Sequence, residues 1–142
     1  MTVREMTKDD ISVVVTVDNN AFSDPWGDTA FIEELTKDYS DYFVCEYEGE
    51  IAGYAGIWCI YETAELIRIG VSEKFRRLGI GNMLMEKILE TSKSRGCDRM
   101  MLEVREGNIT AQALYKKFGF CQISQRKGYY KGENALIMEL KY

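Results

Sequence analysis

The stretch LIRIGVSEKFRRLGIGNMLMEKILETSKSRG, Leu66 to Gly96, decides how this chain folds. Glu65 to Val71 reads as a strand. Asn82 to Arg95 reads as a helix with Leu84, Ile88 and Thr91 on one stripe, and Gly96 stands where such a helix stops. Between them lies Arg76-Arg77-Leu78-Gly79-Ile80-Gly81. A helix N-terminus presents unpaired N–H groups and partial positive charge, and glycine lets an anion approach that backbone closely. Arg76 and Arg77 add two guanidinium groups, which suit phosphate oxygens. A plain strand-to-helix turn uses glycine in the same way, so the turn alone names no ligand.

On either side the chain continues without linker, repeat or low-complexity segment, and Pro25 is its only proline. Thr2–Met6 reads as a short strand. Thr7 is placed to cap a helix from Lys8 to about Asn20, with Ile11, Val14, Val15 and Val17 inward. SDPWGDTAF reads as a loop from which Asp28 caps a short helix bearing Phe31, Ile32 and Leu35. Tyr42–Glu48 and Ile51–Tyr61 form a strand pair joined at Glu48-Gly49-Glu50. Downstream come a strand at Arg99–Val104, a helix capped by Asn108 and ended by Gly119, and strands at Phe120–Gln125 and Ala135–Lys141 joined by RKGYYKGEN. The order β-α-α-β-β-β-α-β-α-β-β predicts an α/β fold, one mixed sheet with helices packed on it.

Length and apolar content suit one domain, residues 1–142, with a single core. No apolar run is long enough to cross a bilayer, and the charged start MTVREMTKDD lacks a signal-peptide core. A soluble cytoplasmic protein is expected. Cys45, Cys59, Cys97 and Cys121 lack metal-site or redox spacing, so no metal is expected and the thiols are expected free and buried. The chain has no histidine, which removes Ser-His and Cys-His nucleophiles and leaves acid–base work to carboxylates, tyrosines, lysines or water. Residues 1–65 carry 3 Lys/Arg against 15 Asp/Glu, whereas residues 66–142 carry 15 against 8. The basic half suits an anionic ligand and the acidic half a cationic one, and the overall charge of −5 disfavours nucleic acid. Walker A fails because no Lys-Ser/Thr follows Gly81, and the dinucleotide fingerprint fails because Leu84 stands where a third glycine belongs.

Arg76 to Gly81 matches the pattern [QR]-x-x-G-x-[GA], and LEVREGNITAQALYKKFGF, Leu102 to Phe120, carries a second one: a strand, an N-x-x-A helix cap, then L-Y-x-x-x-G-F. Together they resemble the two signatures of the GNAT acetyltransferase superfamily, and the likeness runs over almost the whole chain. AFSDPWGDTAF, LEVRE, RKGYY and ALIMEL are most similar to its ribosomal-protein-alanine N-acetyltransferase branch. Gly128 and Lys131 flank the paired tyrosines where that branch usually has Asn and Pro, and Ser23-Asp24 is an addition before Pro25.

The resemblance implies a GNAT fold: a mainly antiparallel, twisted sheet of about seven strands flanked by about four helices. It implies acetyl-CoA as donor, its pyrophosphate on backbone N–H groups from Arg76 to Gly81 (Arg76, Arg77, Leu78, Gly79, Ile80, Gly81), and its pantetheine along Ile69-Gly70-Val71 with Asn108 opposite. It implies Glu103 as the base that frees the attacking amine and Tyr115 as the acid for the departing thiolate, also near the cofactor. It implies the Val71 N–H as donor to the developing oxyanion. Pro25, Trp26, Tyr129 and Tyr130 are the implied walls of an acceptor groove, and Asp24, Glu62 and Glu65 are placed to attract a basic N-terminal peptide of a ribosomal protein. A monomer or weak dimer is expected, without nucleic acid or membrane. A lysine or small-amine acceptor, and a non-catalytic acyl-CoA sensor, stay open as alternatives.

Overall fold

The strand, turn and helix of Leu66–Gly96 form as expected, with the helix starting at Ile80 rather than Asn82. The computed structural model describes residues 1–142 throughout. Its elements are β1 (Thr2–Glu5), α1 (Ile11–Ala21), α2 (Asp28–Leu35), β2 (Ser40–Tyr47), β3 (Glu50–Ile60), β4 (Thr63–Val71), α3 (Ile80–Ser94), β5 (Arg99–Arg105), α4 (Ile109–Lys117), β6 (Cys121–Tyr130) and β7 (Glu133–Lys141). The seven strands make one sheet in the order β1-β2-β3-β4-β5-β7-β6. Every neighbouring pair is antiparallel except β4 and β5, which are parallel. Parallel neighbours need a crossover, and α3 is that crossover.

The sheet is covered unequally on its two faces. Ile80, Leu84, Met85 and Ile88 of α3 and Tyr115 of α4 pack with Leu66, Leu102 and Val104 into the larger apolar cluster. Ile11, Val14 and Val17 of α1 and Phe31 of α2 pack with Tyr42, Val44 and Tyr54 into the smaller one. Strand side chains alternate between faces, so Glu103, between Leu102 and Val104, lies on the α1/α2 side.

Several boundaries differ from expectation for local reasons. A 3-10 turn at Lys8–Asp10 precedes α1. Thr7 is the N-cap of that turn, as expected, and the Asp10 carboxylate reaches back to accept from the Thr7 N–H at 2.8 Å and its hydroxyl at 3.2 Å. Gly27 is the cap of α2, and Asp28 sits in its first turn, where a carboxylate favours the helix dipole. Glu48 and Gly49 both have positive φ, 50° and 78°, as a two-residue hairpin turn requires. RKGYYKGEN is mostly strand: β6 runs to Tyr130 and β7 starts at Glu133, leaving Lys131-Gly132 as the turn. Gly128 (φ 65°) absorbs an irregularity between Arg126 and Tyr130 without ending β6. Cys45, Cys59 and Cys97 are buried free thiols, but Cys121 is exposed because β6 is an edge strand with almost no covered position.

Candidate active site

Parallel pairing of β4 and β5 covers only three residues, Thr63–Glu65 against Arg99–Met101. Beyond it Leu66–Val71 and Leu102–Arg105 share no register, and the sheet opens as a gap. A bulge contributes: Gly56 and Ile57 of β3 face Arg68 and Leu66, which leaves Ile67 as an extra residue in β4. The Ser72 N–H donates to the Ala52 carbonyl at 2.8 Å. Hydrogen-bonded and non-bonded positions alternate along an antiparallel pair, so Gly70 bonds β3 while Ile69 and Val71 aim N–H and C=O into the gap.

The N-terminus of α3 lies on the larger-cluster face of the sheet. Gly79 caps it with φ 85°, and the Met83 N–H donates to the Gly79 carbonyl at 3.1 Å. The Arg76 N–H is taken by the Glu73 carbonyl at 3.3 Å, so it is not among the free donors of the turn. From Arg77 to Asn82 no N–H has an acceptor within the chain. Arg76 and Arg77 are exposed and unpaired with any carboxylate. A Cβ on Gly81 meets Leu114 of α4 at 3.3 Å, so α3 and α4 approach closely here. Asn108 caps α4, its Oδ1 accepting from the Ala111 N–H at 3.1 Å. Tyr115 is buried with its ring 6.0 Å from that of Phe120, and its hydroxyl has no partner in the chain. Burial pushes its phenol well above the ordinary range, so it holds its proton at neutral pH.

On the α1/α2 face Glu103 lies two residues beyond Met101, the partner of Glu65, so the two carboxylates are neighbours. Arg126 of β6 reaches Glu103 at 3.4 Å. Burial, then the neighbouring Glu103, raises the Glu65 carboxyl above its usual value, opposed by Arg126. Glu62 is elsewhere: it precedes β4 at the closed end, its carbonyl accepting from the Asp98 N–H at 2.9 Å. The strand's direction puts it a full strand length from Val71, which removes it from the groups expected around an acceptor.

Tyr129 and Tyr130 pack edge to face at 5.1 Å at the end of β6, not in a loop. Arg105, at the open end of β5, lies over the Tyr130 ring at 4.0 Å, bonds Glu133 at 3.1 Å, and reaches Ser23 at 3.3 Å and Asp24 at 4.0 Å. It therefore brings the segment before Pro25-Trp26 together with the tyrosine pair. Pro25 is exposed, while Trp26 packs on Phe31 with ring centroids 5.1 Å apart. Sequence reading passed over Arg105, Arg126 and the buried pair Asp18–Arg68. The signal for Arg68 was present: a guanidinium inside an apolar strand needs a buried acceptor.

The Acetyltransferase (GNAT) family profile matches residues 11–120, from the start of α1 through α4. The chain belongs to the GNAT acetyltransferase family and is an acetyl-CoA-dependent N-acetyltransferase. Among its relatives, a Bacillus subtilis protein provisionally named a [ribosomal protein bS18]-alanine N-acetyltransferase is 39% identical over 96% of this chain and 92% of its own. The Escherichia coli [ribosomal protein bS18]-alanine N-acetyltransferase is 28% identical over 98% of this chain and 96% of its own. A crystal structure of the E. coli enzyme superposes with a TM-score of 0.91 at 28% identity, covering 99% of this chain and 92% of that one.

Proposed function

We propose that this chain acetylates the N-terminal α-amino group of a protein, and that its acceptor is a ribosomal protein beginning with alanine, the substrate named for its B. subtilis and E. coli relatives. The observation that carries the reading is the β4–β5 gap. It connects a face with free N–H donors to a face with paired carboxylates. The residues fit acetyl-CoA: donors from Arg77 to Asn82 for a pyrophosphate, Arg76 and Arg77 for further phosphate charge, and the open edge of Ile69-Gly70-Val71 for an extended amide-bearing arm. Asn108 keeps its amide NH2 free for the same arm while its oxygen caps α4.

Bound acetyl-CoA supplies an activated acetyl thioester. Glu103, on the acceptor face, takes the proton of the incoming ammonium, directly or through water. An α-amino group has a pKa near ~8, so a carboxylate suffices as a modest base. The Val71 N–H, which points into the gap, would donate to the acetyl oxygen of a bound donor as that oxygen gains charge. Tyr115 holds a proton at neutral pH and has a free hydroxyl, so it is the acid for the departing sulfur. Pro25-Trp26 and Tyr129-Tyr130 flank the open end and form the acceptor walls. The neighbouring Glu65 and Glu103 favour a cationic acceptor. Lysine, with a pKa near ~10.4, needs a stronger base or a drier site than this half-exposed carboxylate. The test is acetyl transfer to alanine-starting peptides with free and blocked N-termini. Transfer to the free terminus alone supports the reading, and transfer to a lysine of the blocked peptide overturns it.

A further inference from the structure

We propose that the buried Asp18–Arg68 pair is a positioning device for the acceptor, fixing the segment Phe22–Trp26 in register with the strand that faces the donor. This rests on the reading of that segment as an acceptor wall.

Asp18 of α1 is fully buried, and the Arg68 side chain is 9% exposed. The guanidinium donates twice, Nε to Oδ1 at 2.6 Å and Nη2 to Oδ2 at 3.2 Å. Tyr54 of β3 donates its hydroxyl to Asp18 as well. Two further bonds leave the pair for the segment. The Trp26 N–H donates to Asp18 Oδ2 at 2.7 Å, and Arg68 Nη2 donates to the Asp24 carbonyl at 3.0 Å. The guanidinium also lies 3.8 Å from the Phe22 ring centroid and 4.7 Å from that of Trp26.

Residues 23–26 make no backbone–backbone hydrogen bond, and the only hydrogen bonds their main chain makes are the two to this pair. A well-packed apolar pair can match a buried ion pair for stability. It cannot supply bonds that fix where Asp24 and Trp26 stand. Arg68 directly precedes Ile69-Gly70-Val71, so the acceptor wall is indexed to the backbone that borders the gap. Arg68 touches no reacting atom and acts only through the segment it holds.

The test compares wild type, Arg68→Met, Arg68→Lys and the double variant Asp18→Asn/Arg68→Met, which leaves no charge unpaired. Acetyl transfer is measured to an alanine-starting peptide and to an N-blocked, lysine-bearing peptide. Acetyl-CoA affinity is measured by calorimetry, and hydrogen exchange is followed at the Trp26 amide. Each Arg68 variant is expected to lose at least ~10-fold in acceptor kcat/KM through misplacement of the wall. Acetyl-CoA affinity should stay at the wild-type value and exchange at Trp26 should quicken. Lysine should not rescue, because it lacks the planar fork. Wild-type acceptor kinetics in the folded double variant overturn the proposal, as does a parallel loss of acetyl-CoA affinity. If wild type ignores the alanine peptide, the proposed function fails while the positioning role is judged separately. It then rests on the lysine-bearing peptide and on Trp26 exchange, and unchanged exchange overturns it.

Discussion

Gly79→Ala places a Cβ on a residue with φ +85° where no atom lies within 4 Å of it. The cost is therefore conformational, about 1–2 kcal/mol for an L-residue held in the left-handed region. Alanine also restricts the unfolded chain, which offsets roughly 0.4–1 kcal/mol and leaves about 1 kcal/mol. If the variant keeps the left-handed conformation at this position, that cost appears as lost folding stability. If its backbone relaxes there, the free N–H groups from Arg77 to Asn82 turn away, and the cost appears as weaker acetyl-CoA binding, up to the full left-handed cost of about 1–2 kcal/mol, or roughly 5- to 30-fold in Kd, because the unfolded chain does not enter the binding equilibrium. Urea unfolding and calorimetric titration with acetyl-CoA measure the two shares, whose signed sum should be about 1 kcal/mol. Gly96→Ala is the control: φ is +89°, nothing lies within 4 Å, and the site is at the other end of α3. It should lose stability and leave acetyl-CoA affinity unchanged. Equal loss of affinity in both variants, or no change of either kind in Gly79→Ala, refutes the assignment of the donor cradle to this turn.

Three further outcomes are expected. Glu103→Gln and Tyr115→Phe should each slow steady-state turnover at least ~10-fold, with acetyl-CoA affinity retained in titrations. Arg4, bonded to Asp10 at 2.8 and 2.9 Å, draws that carboxyl from 3.8 down to about 2. A lowered folded-state pKa gives stability that is present above 3.8 and lost as pH falls through 2. Arg4 is 38% exposed, so solvent reduces the worth of the contact to about 1–2 kcal/mol. Asp10→Asn should cost that much by urea unfolding at neutral pH, and the gap should close toward pH 2. Glu65 has the opposite sign: its carboxyl is raised by burial and by Glu103, so its charge opposes folding at neutral pH. Glu65→Gln should raise Tm at neutral pH, with the advantage gone below 4.5, its ordinary value.

Features carried by local pattern were legible in the sequence. The β4–α3 unit follows from an apolar run, a glycine turn and a helical stripe, and the Glu48-Gly49 hairpin from its turn chemistry. The seven strands and their order of appearance followed from the same signals. The gap between β4 and β5 did not, because a bulge at Ile67 and a three-residue pairing are register effects between distant segments. RKGYYKGEN reads as a loop by its two glycines and asparagine, yet strand continues through Gly128 because β7 pairs on either side of it. Glu103, Tyr115 and Asn108 are proposed as site residues from motif resemblance. Arg68 with Asp18, and Arg105 with Asp24, join residues 50 and 81 positions apart, and no local window contains both partners.

The most direct measurement is mass spectrometry of a peptide matching the N-terminus of the host's ribosomal protein bS18, incubated with this protein and acetyl-CoA. The account predicts one acetyl group on the alanine α-amine for each CoA thiol released, lost when the N-terminus is blocked. Acetyl on a lysine side chain alone, or thiol release without peptide acetylation, contradicts it.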